Sequence, residues 1–346
     1  MAELTLESLA KQIGVSRSTI SRVINGSPNV SPEVREKVLK AIQATGFHPN
    51  AAARSLASQR SWMIGLVLPR SVASFFRDPY FPQLTQGIAY SCNDHDLSLS
   101  LFLVANKKDE EKILPRLTRS GMLDGVLVQS GEVGDKFISQ LTKSNLPTVV
   151  MGRPWEPESV TYIDVDNVTS AANATRYLIG LGYQRIATIT GNMSSTVSID
   201  RLEGYRKGLS ASGRKFLADL VAEGDFTESS GYQSMKKLLP SKPDAVFCAS
   251  DIMAVGAIRA INEAGLTIPG DIALVGFDDI PMGSLTTMQL TTVRQPIIQF
   301  GIKAVELLID LIEKGSKPAR RMILDTELIV RESCGAMQLS SNHLGE

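Results

Sequence analysis

The sequence predicts a small all-α module followed by an α/β core of two doubly wound lobes. Apolar residues recur at helical spacing over residues 5 to 46, and from Trp62 onward short apolar runs alternate with amphipathic segments. About nine such alternations exceed what one sheet comfortably holds, so two lobes are expected. The 346 residues are enough for several substantial cores.

Charge is distributed unevenly along a chain of ordinary composition. The chain is 43% hydrophobic and 21% charged, and its formal net charge is zero. Residues 1 to 60 hold eight basic and four acidic side chains, so they carry +4 and the remainder carries −4. A small basic module on a slightly acidic body is compatible with a nucleic-acid partner, although solvated charge clusters are common on any surface.

Several protein classes are not expected from this sequence. No apolar run approaches the roughly 18 residues of a membrane span, and the start "MAELTLESLAKQIG" is polar, without a signal-peptide core. We therefore expect a cytoplasmic protein with no membrane partner. The three cysteines are far apart and the three histidines form no cluster, so we expect no disulfide framework, no metal and no cofactor.

Three short helices are predicted within residues 5 to 46. Thr5 caps the first, which ends at Gly14, and Ser16 caps the second. The third opens with "SPEV", a serine cap followed by proline, and closes at Gly46. Their apolar residues are sufficient for one small shared core.

The first two predicted helices meet at a glycine turn, as in a helix-turn-helix, which presents the start of its second helix to the major groove. Arg17 and Ser18 at this end are predicted to read bases. The other candidates for base or phosphate contacts are Thr5, Ser16, Thr19, Ser21, Arg22 and Asn25. From the pattern alone, an ordinary helical hairpin with solvated arginines is an equal alternative.

The stretches "LTLESLAKQIGVSRSTISRVING", "VSPEVREKVLKAI" and "GFHPNAAARSLA" resemble the DNA-binding headpiece of the lactose-repressor/galactose-repressor (LacI/GalR) family. Similarity continues through "DRLEGYRKGL", "ASDIMAVGAIRAINEAGLTIPGDIALVGFDDI" and "TTVRQPI", to about residue 333. The resemblance implies an all-α helix-turn-helix headpiece joined to an α/β periplasmic-binding-protein-like core that holds a small effector in its cleft.

The domain limits expected from this resemblance begin with a headpiece over 1–46 and a hinge helix or linker over 47–61. The core occupies 62–346. Its first lobe is expected over about 62–160 plus 293–320, and its second over about 161–292 plus 321–333, because the strand pattern restarts at "VTYIDVD".

The resemblance also implies an effector site. Arg201 in "DRLEGY" matches the family arginine that binds polar groups of the effector, Asp278 in "GFDD" matches the acceptor for sugar hydroxyls or a base nitrogen, and Phe226 matches the aromatic that stacks on the ligand ring. An Arg201–Asp278 structural ion pair and a core Phe226 are the alternatives. Further candidates are Asp78, Tyr80, Phe81, Gln129, Arg153, Ser250, Asp251 and Gln295.

Some positions depart from the family pattern. Ser250 precedes Asp251 where many sugar-binding members have asparagine, and Gly152 followed by Arg153 stands where an effector-binding aspartate occurs elsewhere. The aromatic segment "RSVASFFRDPYFP" is expected either to line the floor of the cleft or to pack the first helix of its lobe, with Asp78 as its polar contact.

Residues 48 to 60, "HPNAAARSLASQR", have helical propensity but are too short for a stable isolated helix. The resemblance implies that two such hinge helices pair on DNA and that Leu56 wedges into the minor groove. Asn50, Ala53 and Arg54 are the other DNA-contact candidates in this segment.

The expected function is a homodimeric transcriptional regulator, a repressor, that binds palindromic double-stranded operator DNA under control of a mono- or disaccharide. In the cell it is expected in the cytoplasm, on the nucleoid when DNA-bound. The alternatives are a regulator responsive to a purine or other metabolite and a non-regulatory sugar-binding protein.

An enzyme is not expected, because the sequence has no G-x-G-x-x-G, P-loop, H-E-x-x-H or nucleophile-elbow motif. The end of the chain shows no leucine heptads, so a dimer is expected rather than a tetramer.

Overall fold

The structure, a computed structural model, describes residues 5–24, 29–45, 60–69, 72–119, 121–129, 133–134, 136–281, 286–315 and 318–336. The chain divides into two compact units, Met1–Ser61 and Trp62–Glu346, and each is described by itself. Within the described residues, no helix has the length and apolar character needed to span a bilayer.

The described part of the first unit up to residue 45, called the headpiece, contains three helices, α1 (Leu6–Ile13), α2 (Arg17–Ile24) and α3 (Pro32–Thr45). At the start of α1, Thr5 Oγ1 accepts a 3.1 Å hydrogen bond from the Ser8 amide, and Ser8 Oγ accepts one of 2.9 Å from the Thr5 amide. The helices share a small core of Leu9, Ala10, Ile20, Val23 and Val38. The predicted helix-turn-helix is therefore present.

The turn between α1 and α2 depends on Gly14. This residue has φ 68°, in the left-handed region, and its amide donates to the carbonyl of Ala10. Glycine adopts this conformation without the steric cost that a side chain brings. Gly14 thus ends α1 and allows α2 to begin three residues later.

The second unit is called the core, and its described residues form two six-stranded sheets. The strands are β1 (Met63–Leu68), β2 (Ser98–Leu103), β3 (Gly125–Gln129), β4 (Thr148–Met151), β5 (Tyr162–Val165), β6 (Ile186–Thr190), β7 (Val221–Glu223), β8 (Ala245–Cys248), β9 (Ala273–Asp278), β10 (Thr291–Arg294), β11 (Arg321–Leu324) and β12 (Glu327–Ile329). The sheet of the first lobe has the order β11-β5-β4-β3-β1-β2, and that of the second lobe β12-β10-β9-β8-β6-β7. Among these strands only β12 runs antiparallel to its neighbour, β10.

Nine helices of the described core flank these sheets. They are α4 (Val72–Arg77), α5 (Tyr80–Asp94), α6 (Lys107–Leu117), α7 (Lys136–Lys143), α8 (Asn167–Gly180), α9 (Thr196–Ala211), α10 (Glu228–Leu238), α11 (Asp251–Glu263) and α12 (Ile297–Lys314). Together with the headpiece helices they confirm the predicted fold class, an all-α module with two α/β lobes.

The limits of the two lobes differ from those expected. Residues 162–165 were placed in the second lobe, but β5 pairs with β4 and β11 in the first sheet. Likewise, β10 belongs to the second sheet and β11 to the first. The chain thus crosses between lobes after β5, between β10 and α12, and between β11 and β12. The alternation of strands and helices does not reveal which sheet a strand joins, so the expected limits were displaced.

Close helix packing forms the floor of the first lobe beneath the cleft. A Cβ on Gly87 of α5 would lie 2.1 Å from the carbonyl oxygen of Ile298 in α12, so a larger residue there would force the two helices apart. This approach places Leu84 of α5 and Phe300 of α12 in one buried cluster. Both residues also line the cleft described next.

Candidate functional site

The start of α2 carries exposed hydroxyl and basic groups. Ser16 Oγ lies 2.7 Å from Ser18 Oγ and 2.8 Å from Thr19 Oγ1, and it accepts a 3.0 Å hydrogen bond from the Thr19 amide. Arg17 and Arg22 are exposed on the same helix, whereas Ile20 and Val23 face the small core. A helix start with exposed hydroxyls and arginines suits contacts with phosphates and base edges.

The other DNA-contact candidates lie in different settings. Thr5 is exposed and caps α1, and Ser21 is partly buried on α2. Asn25, Asn50, Ala53, Arg54 and Leu56 lie outside the described residues.

A cavity of about 630 Å³ lies between the two lobes of the core. Its size falls within the range of roughly 300–1,000 Å³ typical of small-molecule sites. Nine of the predicted effector-binding residues line it, namely Asp78, Tyr80, Phe81, Gln129, Arg201, Phe226, Ser250, Asp278 and Gln295.

Arg201 lies at the centre of this site, and several contacts fix its guanidinium. Nε donates to Asn167 Oδ1 at 2.9 Å, and Nη1 donates to the Ala249 carbonyl at 2.5 Å and lies 3.6 Å from Asp278 Oδ1. Cζ lies 3.6 Å from the ring centroid of Phe277. Only 5% of the residue is exposed, and this burial lowers the pKa of Arg201 despite the nearby carboxylates. The group is thus held in one orientation, as a preorganised donor requires.

Asp278 ends β9 and has an unusual backbone, with φ 122°. Its Oδ1 accepts a 2.5 Å hydrogen bond from Gln295 Nε2. Burial raises the pKa of Asp278 to about 7, while Arg201 opposes the rise and Asp78 adds to it. The carboxyl is therefore poised to change protonation near neutral pH.

Phe226 combines a packing contact with exposure to the cavity. Its φ is 64°, and a Cβ on Gly191 would lie 2.1 Å from its ring, so glycine is needed at the end of β6 for the ring to occupy this place. The ring packs against a core cluster of the second lobe and also lines the cavity. Phe226 therefore contributes to the core cluster and to the cavity lining, and its stacking on a ligand ring stays a prediction.

The aromatic side chains of the segment over residues 75–81 in the first lobe lie in different environments. Phe75 is buried, with its ring centroid 6.2 Å from that of Phe81, whereas Phe76 is 70% exposed. Tyr80 and Phe81 line the cavity with ring centroids 5.3 Å apart. Burial raises the pKa of Tyr80, and Asp278 adds to the rise, so its hydroxyl remains a hydrogen-bond donor at neutral pH.

Two predicted effector contacts are corrected by the structure. Arg153 is absent from the cavity lining, because Asp200 holds its guanidinium through two hydrogen bonds of 2.7 Å. Asp251 is also absent, because its carboxylate accepts hydrogen bonds from Thr292 Oγ1 at 2.6 Å and from the Ile280 amide at 3.1 Å. The Arg153 guanidinium and the Asp251 carboxylate are thus used in structural contacts.

Ser250 lines the cavity but has a second role. Its hydroxyl oxygen accepts a 3.3 Å hydrogen bond from the Met253 amide and caps α11. This bond occupies one acceptor site of the hydroxyl and leaves its proton available as a donor.

The structure adds Asp164 and Asn167 to the site. Asn167 Nδ2 donates to Asp164 Oδ1 at 3.1 Å, while its Oδ1 accepts from Arg201. Burial raises the pKa of Asp164 to about 6, and hydrogen bonds from the amides of Val165 and Arg153 oppose the rise. Asp164 lies within β5 near its end, and Asn167 follows that strand. A strand end that faces the cleft is the signal that could have marked both residues, as it marked Gln129 at the end of β3.

The cavity lining is acidic overall among the described residues. It contains five carboxylates and three basic groups, the carboxylates being Asp78, Glu110, Asp164, Asp225 and Asp278 and the bases Lys107, Lys136 and Arg201. Carboxylates accept hydrogen bonds, and an anionic ligand has few protons to donate to them. This lining therefore has more hydrogen-bond acceptors than such a ligand can use.

Comparison with known proteins agrees with both units. Residues 5–50 match the model of the bacterial regulatory proteins, lacI family, and residues 175–334 match the periplasmic binding protein-like domain. The HTH-type transcriptional regulator CelR of Thermobifida fusca is 37% identical over 333 residues, covering 95% of this chain and 98% of CelR.

Solved structures match over the same length. A transcriptional regulator CelR–cellobiose complex has a TM-score of 0.76 at 35% identity, covering 95% of this chain and 99% of the other. The lac repressor dimer bound to operator and the anti-inducer ONPF has a TM-score of 0.80 at 28% identity, covering 95% and 98%. With a headpiece that matches the family's DNA-binding model and a core that matches its relatives throughout, the chain belongs to the lacI family of bacterial regulatory proteins and is a DNA-binding transcriptional regulator.

Proposed function

We propose that this protein is a homodimeric repressor whose affinity for palindromic operator DNA is controlled by a neutral mono- or disaccharide bound between the lobes of the core. The observation that carries the proposal is the buried cluster of Arg201, Asn167 and Asp278 in a cavity that Phe226 also lines. Fixed donors and acceptors beside an aromatic ring suit a polyhydroxylated ring.

The chemistry of the lining favours a neutral sugar over two other effector classes. Five carboxylates disfavour a sugar phosphate or sugar acid, because like charges repel. Several sugar hydroxyls supply protons to many acceptors at once, whereas a purine offers few donors. The CelR relative, whose solved complex contains cellobiose, supports the same choice.

On DNA, each headpiece of the dimer reads one half of the operator, since two-fold symmetry presents the same helix twice. Arg17 and Ser18 contact bases. Thr5, Ser16, Thr19, Ser21, Arg22 and Asn25 contact bases or phosphates, joined by Asn50, Ala53, Arg54 and Leu56 from the hinge. Phosphate contacts make the affinity dependent on salt.

Sugar binding shifts the population toward one arrangement of the two lobes and thereby changes how the hinge segments of the dimer pair. The cleft binds its ligand without turnover, in keeping with a family of transcriptional regulators. Because its target is bacterial DNA, the protein works in the cytoplasm, on the nucleoid when bound.

Thermal unfolding with a ligand panel tests the effector class. The panel contains cellobiose, maltose, lactose, glucose, ribose, glucose 6-phosphate, hypoxanthine and guanine. A neutral sugar is expected to raise the melting temperature, because a ligand that binds only the folded state stabilises it. A shift with a purine and with no sugar would replace the sugar by a nucleobase. Sedimentation at micromolar concentration is expected to give a dimer, and a monomer would contradict that part of the proposal.

A further inference from the structure

Asp279, the residue after the proposed ligand-binding Asp278, is strained and tightly held. Asp278 and Asp279 have φ values of 122° and 59°, two consecutive non-glycine residues with positive φ. Such a backbone is unfavourable for side-chain-bearing residues and persists only where surrounding contacts impose it. The contacts of Asp279 therefore determine where this turn lies.

Two arginines hold the Asp279 carboxylate. Its Oδ2 accepts a 2.7 Å hydrogen bond from Arg294 Nε, and its Oδ1 accepts one of 2.6 Å from Arg331 Nη2. Arg331 Nη1 also donates to the Leu290 carbonyl at 2.7 Å. Burial alone would raise the pKa of Asp279, but the hydrogen bonds from Arg294 and Arg331 hold it below its usual value. The carboxylate is thus ionised and bridged on both oxygens.

The segments that contain residues 278–279 and 294–295 are joined a second time, on the side that faces the cavity. Arg294 is followed by Gln295, whose Nε2 donates to Asp278 Oδ1 at 2.5 Å and whose amide donates to the Asp278 carbonyl at 3.3 Å. Asp278 and Gln295 line the cavity, whereas Asp279 and Arg294 are absent from its lining. The hydrogen bond between Gln295 and Asp278 thus faces the ligand site, and the bridge between Arg294 and Asp279 holds the backbone that carries Asp278.

These segments adjoin two of the three crossings between the lobes. Gln295 lies between β10 of the second lobe and α12 of the first. Arg331 follows β12, the strand that the chain enters on its return from β11, and Arg294 Nη1 lies 3.6 Å from Glu327 at the start of β12. Asp279 therefore connects the ligand-facing turn to both of these crossings.

We infer that Asp279 is a positioning residue: its two arginine bridges fix the left-handed turn that places Asp278 and Gln295 in the cleft and link that turn to the crossings between the lobes. The inference rests on the proposed function in that the cleft binds the effector. It assigns Asp279 no contact with the ligand.

The test compares Asp279→Asn, Asp279→Gly and Asp279→Glu with a matched control, Glu228→Gln. Asparagine and glycine both tolerate positive φ but cannot make the two ionic bridges, whereas glutamate retains the carboxylate. Glu228 forms a 2.7 Å ion pair with Arg259 in the same lobe and does not line the cavity. Its substitution removes an ion pair of similar length without touching the turn.

Calorimetry is performed with the sugar that gives the largest thermal shift in the panel above. Asp279→Asn and Asp279→Gly are expected to weaken its binding about tenfold, by analogy with the loss of groups that orient metal ligands. Asp279→Glu is expected to recover most of the affinity, and Glu228→Gln to leave it unchanged. A lower melting temperature with unchanged sugar affinity in Asp279→Asn would overturn the inference.

Hydrogen exchange of the ligand-free protein gives a second readout that does not depend on the effector. Peptides covering residues 274–281 and 290–297 are expected to exchange faster in Asp279→Asn and Asp279→Gly than in the wild type, with no change in Glu228→Gln. Unchanged exchange in both peptides would contradict the inference. If no sugar binds the wild type, the proposed function fails, and the exchange result alone then decides the role of Asp279.

Discussion

The headpiece and the core place their functional groups in opposite environments. In the headpiece, Arg17, Ser18 and Arg22 are exposed, and among its described residues only a few apolar side chains are buried. In the core, Arg201 and Asp278 are only 5% and 8% exposed. Exposed charges suit a large polyanion that approaches from solvent, whereas buried charges suit a small ligand that the protein encloses.

This difference determines what each region responds to. The attraction between exposed arginines and phosphates is screened by dissolved ions, so salt weakens the contribution of these arginines to DNA affinity. Buried carboxyls respond instead to geometry and pH, because burial shifts their protonation. Substitutions in one region are therefore expected to leave the intrinsic affinity of the other unchanged.

The largest expected effect comes from Arg201→Lys. An ammonium group cannot reach Asn167, Ala249 and Asp278 together, and it leaves a buried carboxylate without its partner. Sugar affinity is expected to fall roughly 100-fold, within the range for truncating a buried charge pair. Calorimetry measures the loss. Arg176→Lys, at an exposed arginine on α8, is the control, and equal sugar affinity of Arg201→Lys and wild type would remove Arg201 from the site.

Arg17→Ala is expected to lower specific operator affinity roughly 30-fold, because a bidentate arginine–base contact contributes about 1–3 kcal/mol of discrimination. Fluorescence anisotropy with an operator selected from random DNA measures this loss, while sugar affinity is expected to stay constant. Lys40→Ala, which removes an exposed α3 side chain paired with Glu36, is the matched control. A loss no larger than that of the control would place base reading elsewhere.

Leu56→Ala tests the segment between the two regions. If two copies of Leu56 wedge into the minor groove, the substitution is expected to weaken operator binding roughly tenfold and to reduce the DNA bend. Gel mobility of circularly permuted operator fragments measures the bend, and calorimetry checks that sugar binding is intact. Unchanged affinity and bend angle would make residues 47–61 an ordinary linker.

The smallest effect expected is a dependence of sugar affinity on pH. Sugar hydroxyls donate to the ionised form of Asp278, whose pKa in the free protein is raised to about 7, first by burial. Between pH 8 and pH 6.5 the affinity is expected to fall about fourfold, since binding then requires loss of a proton. Calorimetry at both pH values tests this, and constant affinity would exclude Asp278 as the acceptor.

The same shift affects stability with a defined sign. A carboxyl whose pKa is higher in the folded than in the unfolded state contributes stability that is present below the unfolded value and is lost as pH rises through the folded value. The pKa values of Asp278 and Asp164 are raised to about 7 and about 6. The ligand-free core is therefore expected to lose stability progressively as the pH rises from about 4 to about 7. Urea unfolding across this range measures the change.

The headpiece was predictable from sequence because its signals are local. Thr5, Gly14 and Ser16 mark helix ends within a few residues of the contacts they make. The core's strand and helix alternation was predictable for the same reason. The assignment of β5 and β11 to the first sheet was not, because their pairing joins segments more than 150 residues apart.

The site was predictable where a family motif, a strand end or the aromatic segment marked it. Arg201, Asp278 and Phe226 carry such motifs and do line the cavity. Arg153 and Asp251 were misplaced because their partners, Asp200 and Thr292, lie on other elements and are invisible to local patterns. The contribution of Asn167 depends on the course of α9, which brings Arg201 to it.

The most direct test of the whole account measures operator affinity by anisotropy with and without a saturating concentration of the sugar that binds the core. The account predicts a change of about 5- to 150-fold, and an equal factor when sugar affinity is measured with and without operator, because coupling between two sites is reciprocal. Operator affinity that is the same with and without bound sugar would contradict it.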